Sequence, residues 1–384
     1  MSARAPLGAP VGAAPGWAER LRGLRDRLVA GPGFQRWAAS FPLTRPIARR
    51  RARALFDLVA GFVYSQVLLA CVRLDLFSIL ADGALPARTI AARTGLPEDG
   101  ARRLLAAAAS LGLVEPRGAE RFGLGPLGAP MVGNRAVAAM VEHHAALYAD
   151  LADPVALLRG EAAGRALAGY WPYATAGDPA ALEAGRVAAY CDLMSASQPL
   201  VSGEILDAYP VRRHRRVLDV GGGDGTFLAA LARRAPHAEL VLFDLPAVAE
   251  RARARFEACG LGTRARAVGG DFTADALPAG ADLVTLVRVI HDQDDARALA
   301  LLRAAHAALR PGGTLLLAEP MSGTAGAEPM GEAYFGFYLL AMGRGRPRTR
   351  AELESMLASA GFERPRSPGT SMPLQTRVLV ARRR

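Results

Sequence analysis

The sequence predicts an α/β protein in which a mainly helical N-terminal region precedes a Rossmann-like sheet with helices on both faces. From about residue 190 onwards, short apolar runs alternate with helical patterns, which is typical of a parallel sheet. A glycine-rich turn follows the first of these runs, as it does where such sheets bind nucleotide-like ligands. Before residue 190 the pattern is mostly helical, with one short hairpin at 114–125.

We expect the 384 residues to divide into a tail and two domains. The stretch 1–33 is rich in alanine, glycine and proline, and we expect it to be a disordered tail. A helical domain follows at 34–189, and the α/β domain occupies 190–384. Within the helical domain, 55–80 is apolar on more than one helical face. Such a helix is buried in a core or between subunits, so its second apolar face needs cover, which a homodimer would supply.

Residues 87–114 are predicted to form a helix, a turn and a second helix, and the hairpin at 114–125 completes a winged-helix-like outline. This outline raises the alternative that the protein is a DNA-binding regulator. A recognition helix presents polar side chains to bases, and basic groups contact the phosphates. The second helix begins with Glu98 and Asp99, whose charge repels phosphate. We therefore expect no nucleic-acid partner.

The first strand of the α/β domain and the turn after it have the sequence VLDVGGGDGTF, at 217–227. Four glycines fall within five positions, and we expect Gly221, Gly223 and Gly225 to contact a ligand. Glycine lets the backbone turn sharply and lets a ligand approach the chain closely. The helix that follows offers unpaired N–H groups to a polar ligand.

The second strand ends in Asp244, a carboxylate placed to bind a ribose diol. Both a dinucleotide and S-adenosylmethionine use this layout. The dinucleotide fingerprint G-x-G-x-x-G is incomplete, because Thr226 stands at the position of its third glycine. Asp219 lies outside that fingerprint and suits a cofactor with a cationic amino-acid tail. These residues favour S-adenosylmethionine.

Later strands also end in polar residues. Asp271 and Phe272 follow one short strand, His291 follows a long apolar strand, and Glu319 closes another. Because ligands sit at the carboxyl ends of the strands in an open α/β sheet, we expect these side chains to converge on one edge. The His, Cys and Asp residues show no zinc-type spacing, so we expect no metal.

The α/β domain, 190–384, resembles the small-molecule O-methyltransferases of the plant caffeate and flavonoid type and their bacterial relatives. Several ordered motifs carry the resemblance: VLDVGGGDG, FDLP (243–246), GDF (270–272), HDQDD (291–295), LRPGG (309–313), LLLAEP and GRPRT (345–349). It implies a class I methyltransferase sheet, S-adenosylmethionine as the methyl donor, and a helical N-terminal domain that dimerises and walls off the active site.

The resemblance also implies roles for single residues. His291 is expected to be the general base, and Glu319 is expected to orient it. Arg288 stands where the family has a cofactor-contacting lysine. The residues implied in cofactor binding are Asp219, Gly221, Gly223, Gly225, Asp244, Leu245, Asp271, Phe272 and Arg288.

One position departs from the family pattern. Many plant members carry a second glutamate beside the catalytic histidine, and Pro347 stands at that position here. We therefore expect His291 to have one carboxylate partner instead of two. The departure leaves the type of acceptor open.

The N-terminal stretch from Phe34 through Gln66 is similar to the hydroxycarotenoid O-methyltransferases of purple phototrophic bacteria. Those enzymes methylate the C-1 tertiary hydroxyl of acyclic carotenoids in the spheroidene branch. The resemblance implies an apolar hydroxylated substrate and an enzyme of the cytoplasm that touches the cytoplasmic face of the inner, photosynthetic membrane. A phenolic or polyketide hydroxyl is the alternative acceptor.

The segment EAYFGFYLLAM, at 332–342, lies where the family places its acceptor. Its aromatic and methionine side chains are suited to an apolar substrate, and ordinary core packing is the alternative explanation. The residues that we expect at the acceptor are Met194, Met330, Tyr334, Phe335 and Tyr338.

The net charge is +11, and every basic residue except the histidines is arginine. Arginines cluster at 45–53, 212–216 and 344–350, and these patches fit either anionic lipid or nucleic acid or a solvated face. The three cysteines lie far apart, so a reducing cytoplasm is expected. We expect no signal peptide, because no apolar run with flanking positive charge and a cleavage site opens the sequence. The longest uncharged run, 58–72, has fifteen residues, fewer than the roughly 20 that a membrane span requires.

Overall fold

The computed structural model describes residues 16–162, 164–176 and 179–384. The α-helices are α1 (Trp17–Ala30), α2 (Pro32–Ser40), α3 (Arg45–Arg73), α4 (Leu76–Ile79), α5 (Ala87–Thr94), α6 (Glu98–Ser110), α7 (Arg135–Asp150), α8 (Pro154–Arg159), α9 (Ala166–Tyr170), α10 (Pro172–Thr175), α11 (Ala184–Ala208), α12 (Thr226–Arg234), α13 (Pro246–Ala258), α14 (Asp295–Ala308), α15 (Gly336–Met342) and α16 (Arg350–Ser359). Short 3₁₀ turns lie at Ala129–Met131, Pro179–Ala181 and Val211–Arg213, and a π-helical turn at Met330–Phe335 leads into α15.

The strands form two sheets. They are β1 (Leu85–Pro86), β2 (Val114–Pro116), β3 (Arg121–Leu124), β4 (Arg216–Val220), β5 (Glu239–Asp244), β6 (Ala265–Gly269), β7 (Ala281–Val287), β8 (Leu309–Glu319), β9 (Phe362–Arg366) and β10 (Arg377–Arg383). The small sheet has the order β1-β3-β2, and the large sheet has the order β6-β5-β4-β7-β8-β10-β9. Strands β4 to β8 are parallel, and β10 is antiparallel to both of its neighbours.

Both faces of the large sheet are covered. Side chains alternate across a strand, so Val217 packs with α11, α12 and α13, whereas Leu218 packs with α14 and α16 on the other face. The next strand repeats the alternation, with Leu242 on the first face and Phe243 on the second. This arrangement confirms the predicted Rossmann-like sheet with helices on both faces.

The helix-turn-helix and the hairpin predicted in the N-terminal domain are present. Helix α5 ends at Thr94, the next residue, Gly95, has a φ of +70° that favours glycine, and α6 begins at Glu98. Strands β2 and β3 pair antiparallel, and β1 adds a third strand. The winged-helix-like character of this unit stays a prediction.

The prediction that residues 1–33 form a disordered tail was wrong for part of this stretch. Residues 1–15 lie outside the described residues, but α1 occupies 17–30 and α2 begins at Pro32. Within α1, glycine occurs only at position 23, and leucines recur at one helical face. Proline at the first position of α2 is compatible with a helix, because its missing N–H has no intrahelical partner there.

Helix α3 is 29 residues long, and only Leu69 and Cys71 are buried along it. Its apolar side chains at 55–63 are mostly exposed. By length and composition alone the helix could cross a membrane, although the uncharged run at 58–72 was predicted to be too short. A helix at a subunit interface has the same apolar composition.

Candidate active site

The glycine-rich turn after β4 borders a cavity at the carboxyl edge of the large sheet. Gly221 and Gly223 have φ values of +68° and +60° and line the cavity. At Gly223 an added Cβ would meet no atom within 4 Å, so this backbone is open to a ligand. Gly225 has a φ of +81°, and a Cβ there would lie 2.6 Å from Phe256. It therefore packs against α13 and is not among the cavity-lining residues.

Most of the predicted cofactor residues meet at this cavity. Those that line it are Asp219, Gly221, Gly223, Asp244, Leu245, Asp271, Phe272 and Arg288. Polar residues that we did not predict also line it, among them Tyr173, Ser195, Gln198 and Asp292. The first three come from the chain before β4, where strand-end reasoning gives no signal.

The carboxylate of Asp219 is buried and only half satisfied. Thr285 Oγ1 donates to its Oδ1 at 2.6 Å, and Oδ2 has no hydrogen-bond partner. Burial raises the pKa of Asp219 to about 7, and the hydrogen bond from Thr285 partly opposes this shift. A cationic donor in the cavity would satisfy the free oxygen and stabilise the charged form.

Asp244 is held by backbone N–H groups on both oxygens. Gly223 N donates to Oδ2 at 2.8 Å, and Leu245 N donates to Oδ1 at 2.7 Å. Burial raises the pKa of Asp244 to about 6 against these two bonds. Each carboxylate oxygen can accept a second hydrogen bond, which suits a vicinal diol.

The carboxylate of Asp271 accepts hydrogen bonds within its own turn. Its Oδ1 accepts from Thr273 N at 2.8 Å and from Thr273 Oγ1 at 2.7 Å. Both Asp271 and Phe272 are half-buried. The ring of Phe272 therefore has surface left for a flat ligand.

Arg288, the residue after β7, hydrogen-bonds to α11. Its guanidinium donates to Ser197 Oγ at 2.8 Å, to Gln198 Oε1 and to Met194 O. Burial lowers the pKa of Arg288 to about 10, although neighbouring carboxylates oppose the shift. The residue has a φ of +58°, an uncommon conformation for a side chain other than glycine. Such strain costs about 1–3 kcal/mol and is typical of functional sites.

His291 and Glu319 are in direct contact, as a base and its orienting group require. His291 Nδ1 lies 2.5 Å from Glu319 Oε2. The other oxygen, Oε1, accepts from Val289 N at 3.0 Å and Ile290 N at 2.7 Å. Both oxygens of the buried carboxylate are therefore satisfied, and the imidazole is fixed in orientation.

A second carboxylate contacts His291, so the expectation of a single carboxylate partner was wrong. Asp292 Oδ1 lies 3.1 Å from His291 Nε2, and the Tyr173 hydroxyl donates to Asp292 Oδ2 at 2.7 Å. Pro347 does remove the family glutamate, but the residue next to His291 supplies another charge. Its position in the HDQDD motif was the available sequence signal.

Charge balance controls the protonation of His291. Burial lowers its pKa, but Asp292 and Glu319 outweigh burial and raise it to about 9. Burial also raises the pKa of Asp292, which the His291 charge and the Tyr173 hydroxyl oppose. At neutral pH the imidazole is therefore largely protonated in the ligand-free protein.

The predicted acceptor residues lie beside the cavity rather than all around it. Met194 lines the cavity, and Phe335 packs edge-on against His291 with ring centroids 5.8 Å apart. Tyr334 and Tyr338 bind His144 and His143 through their hydroxyls, at 2.8 and 2.7 Å. These two tyrosines belong to an aromatic core that joins the π-helical turn to α7. Met330 is half-buried at the start of that turn.

Sequence reasoning missed Arg348, which holds the segment that carries His291. Its buried guanidinium donates to Ile290 O at 2.8 Å, to Gln293 O at 2.7 Å and to Asp295 Oδ1 at 2.7 Å. These bonds fix both ends of the loop between β7 and α14. The GRPRT motif contained this arginine, but spacing alone did not reveal its burial.

The cavity fits S-adenosylmethionine. The unpartnered Asp219 Oδ2 could accept from an ammonium group and Asp244 from the ribose diol, and the ring of Phe272 could pack on adenine. The open backbone at Gly223 leaves room for the ligand. Among the described residues, no group of His, Cys, Asp and Glu could hold a metal ion.

Two sequence families match the chain. One is described as an O-methyltransferase domain and matches residues 148–363. The other is described as an O-methyltransferase dimerisation domain and matches residues 56–134. Together they include the small sheet and most of the large sheet, whereas α1, α2 and the first part of α3 lie outside both matches.

Known proteins with similar sequences and structures cover nearly the same length. Demethylspheroidene O-methyltransferase of Rhodobacter capsulatus is 43% identical over 345 residues, which cover 89% of this chain and 85% of that protein. Acetylserotonin O-methyltransferase of Mus musculus is 36% identical and covers 84% of this chain and 88% of its own length. Among solved structures, the S-adenosylmethionine-dependent methyltransferase SibL has a TM-score of 0.71 and 27% identity, covering 86% of this chain and 98% of that one.

Proposed function

The chain belongs to the S-adenosylmethionine-dependent O-methyltransferases, and we propose that its acceptor is the C-1 tertiary hydroxyl of an acyclic carotenoid of the spheroidene pathway. The observation that carries this proposal is the 43% identity to demethylspheroidene O-methyltransferase over 89% of the chain. The N-terminal stretch that resembles hydroxycarotenoid enzymes supports it independently of the cofactor motifs.

The chain's own groups prepare the hydroxyl for attack. S-adenosylmethionine supplies a methyl group on a cationic sulfur. In its unprotonated form His291 accepts the proton of the acceptor hydroxyl at Nε2, the nitrogen that Asp292 contacts in the ligand-free protein, and Glu319 stabilises the resulting imidazolium from the Nδ1 side. An aliphatic alcohol is too weak an acid to ionise beforehand, so alignment of its oxygen must supply much of the rate.

The walls near His291 suit an apolar acceptor. Phe335 packs against the imidazole, and Met194 lines the cavity from α11. The surrounding core contains many aromatic side chains, from Trp171 to Tyr190 and at the π-helical turn. A polyene can pack along such surfaces without leaving a polar group of the protein unpaired.

A phenolic hydroxyl is the second candidate acceptor, because the mouse acetylserotonin enzyme is 36% identical. We do not propose DNA binding. In α6 the guanidinium of Arg102 is engaged by Glu98 at 2.7 Å and by Glu120 at 3.0 Å. This charge is therefore neutralised within the protein.

We further propose a cytoplasmic homodimer. The dimerisation match at 56–134 includes the exposed apolar part of α3, and a second copy would cover it. In this scheme 34–189 supplies the dimer interface and a wall of the active site, and 190–384 binds the cofactor. A carotenoid acceptor dissolves in a bilayer, so we place the dimer against the cytoplasmic face of the inner, photosynthetic membrane.

An acceptor competition tests the proposal. The purified chain is given S-adenosylmethionine with demethylspheroidene and N-acetylserotonin in one detergent-dispersed mixture. We expect the carotenoid ether as the dominant product, because the acceptor walls are apolar. Preferential methylation of the phenol would reject the carotenoid assignment while leaving the O-methyltransferase family intact.

A further inference from the structure

Positive charge is concentrated at the N-terminal end of the described chain. Residues 17–53 contain ten arginines and two acidic residues, a net charge of +8, whereas the whole chain carries +11. This stretch comprises α1, α2 and the first turns of α3. It precedes the part of the chain that matches the dimerisation domain, which begins at residue 56.

Helix α1 carries an exposed apolar stripe. Trp17, Leu21, Leu24 and Leu28 are spaced by four, three and four residues, so they lie on one face. Their exposed fractions are 78%, 56%, 57% and 48%, and α1 contains no buried residue. A large apolar face with this exposure requires a covering surface.

Arginines flank the stripe. With about 100° of rotation per residue, Arg20 and Arg27 border one side of it, and Arg25, which pairs with Asp26 at 2.7 Å, borders the other. The two acidic residues, Glu19 and Asp26, fall on the opposite face. The apolar face and the cationic border formed by Arg20 and Arg27 therefore lie on the same side of the helix.

The same combination continues into the next two helices. Trp37, Phe41, Leu43 and Ile47 are exposed large apolar side chains on or beside α2 and at the start of α3. The exposed arginine cluster at 45–53 follows directly. Tryptophan, leucine and arginine in alternation are typical of helices that lie in the interface of a bilayer.

We propose that α1, α2 and the first turns of α3 form a docking surface for an anionic lipid bilayer. The apolar side chains would enter the interfacial layer, and the arginines would contact the lipid headgroups. A second copy of this surface would bring like charges together, and nucleic acid would leave the leucine stripe uncovered. The proposal deepens the proposed function, since a carotenoid acceptor resides in a bilayer, but binding is measurable without any acceptor.

Vesicle flotation of the full chain tests the surface. We expect the protein to float with vesicles of phosphatidylcholine and phosphatidylglycerol about tenfold more than with phosphatidylcholine alone. High salt should release it, because screening weakens headgroup attraction. Trp17 and Trp37 are exposed and Trp171 is buried, so vesicle binding should shift tryptophan fluorescence to shorter wavelength.

Paired substitutions separate the apolar contribution to vesicle binding from the electrostatic one. Leu21→Gln with Leu24→Gln removes the stripe while keeping a good helix former. Arg49→Gln with Arg50→Gln removes two charges. The matched control is Arg303→Gln with Arg366→Gln, two exposed arginines on α14 and β9. Both N-terminal pairs should reduce flotation about tenfold, and the control pair should leave it unchanged.

Several outcomes would overturn the proposal. Equal flotation with neutral and anionic vesicles would show that the arginines do not bind anionic headgroups. Loss of binding in the arginine pair with retention in the leucine pair would indicate purely electrostatic attraction, as for nucleic acid. A change in molecular mass in the leucine pair would assign the stripe to a second copy of the chain. Retention on vesicles in high salt would indicate a membrane span by α3. Because flotation uses no acceptor, any of these results leaves the acceptor test standing.

Discussion

Asp244 receives backbone hydrogen bonds from Gly223 and Leu245, which aim its carboxylate at the cavity. We expect Asp244→Ala to weaken S-adenosylmethionine binding by roughly 1.5–3 kcal/mol, the contribution of hydrogen bonds to a charged group. Titration calorimetry measures this change. Asp207→Ala, which removes an exposed carboxylate paired with Arg234, is the control. Unchanged affinity in Asp244→Ala would refute its placement at the ribose.

His291 is held by Glu319 and packs against Phe335, next to the cavity-lining Asp292. We expect His291→Ala to lower kcat by roughly a hundredfold or more, since general-base catalysis contributes about that much. Cofactor affinity should remain, because Asp219 and Asp244 are untouched. Steady-state kinetics and calorimetry on the same sample separate the two effects. Near-normal turnover would mean that alignment alone drives methyl transfer.

The raised pKa of His291 predicts a pH profile. Only the unprotonated imidazole accepts a proton, so kcat/KM should rise about tenfold per pH unit and level off near pH 9. Glu319→Gln removes one of the charges that favour the imidazolium, so the rise of kcat/KM should occur at lower pH. Glu257→Gln, an exposed substitution on α13, serves as the control. If kcat/KM rises at the same pH in Glu319→Gln as in the wild type, Glu319 does not control the pKa of His291.

The same shift affects stability. The pKa of His291 is higher in the folded protein than the usual value near 6.5, so protonation favours the folded state. This contribution is fully present below about pH 6.5 and is lost as the pH rises through about 9. The variant His291→Ala should show a smaller fall in stability across that range.

At the residue scale, the sequence predicted groups whose position follows from strand ends. Asp219, Asp244 and Glu319 lie at the carboxyl ends of parallel strands, and His291 follows the end of β7 by four residues, so topology alone brings them to one edge of the sheet. Tyr173 could not be found in this way, because it reaches Asp292 from a helical segment distant in sequence. Such contacts depend on tertiary packing and have no local pattern.

Among the elements, the loop between β7 and α14 must keep His291 in a fixed position for it to act as the base. Arg348 bonds the carbonyl groups of Ile290 and Gln293 and the carboxylate of Asp295. We expect Arg348→Lys to lower kcat on the order of 10- to 100-fold, because a single ammonium cannot replace a planar fork. Arg350→Lys, an exposed arginine paired with Glu354, is the matched control.

A purely structural role of Arg348 would give a different result. Loss of stability with an unchanged kcat per folded molecule would assign Arg348 to folding alone. If Arg348 positions the loop, cofactor affinity stays and kcat falls. Calorimetric Kd and active-site titration distinguish the two.

The elements themselves were predicted unevenly. Buried parallel strands were found, since their continuous apolar runs and glycine turns are strong local signals. Helix α1 was missed because the surrounding alanine, glycine and proline suggested disorder, whereas its leucine spacing indicated an amphipathic helix. The π-helical turn at Met330–Phe335 has no sequence signature that distinguishes it from an α-helix.

At the scale of the whole molecule, the exposed apolar face of α3 is the feature that predicts assembly. Leu58 and Phe62 are 81% and 68% exposed in a single chain. We expect wild-type protein to be a dimer by light scattering and Leu58→Asp with Phe62→Asp to be a monomer, because buried carboxylates without partners are costly. Val155→Asp with Leu158→Asp, on exposed α8, is the control and should stay dimeric. A monomeric wild type would refute the interface.

The central claim is methyl transfer to a carotenoid hydroxyl, and label transfer tests it most directly. The full chain is incubated with methyl-labelled S-adenosylmethionine and demethylspheroidene, and both products are quantified. The structure and its relatives predict labelled carotenoid methyl ether and S-adenosylhomocysteine in equal amounts. Methyl transfer to the carotenoid would be refuted if the carotenoid stayed unlabelled while a phenolic acceptor was methylated, or if neither acceptor received the label.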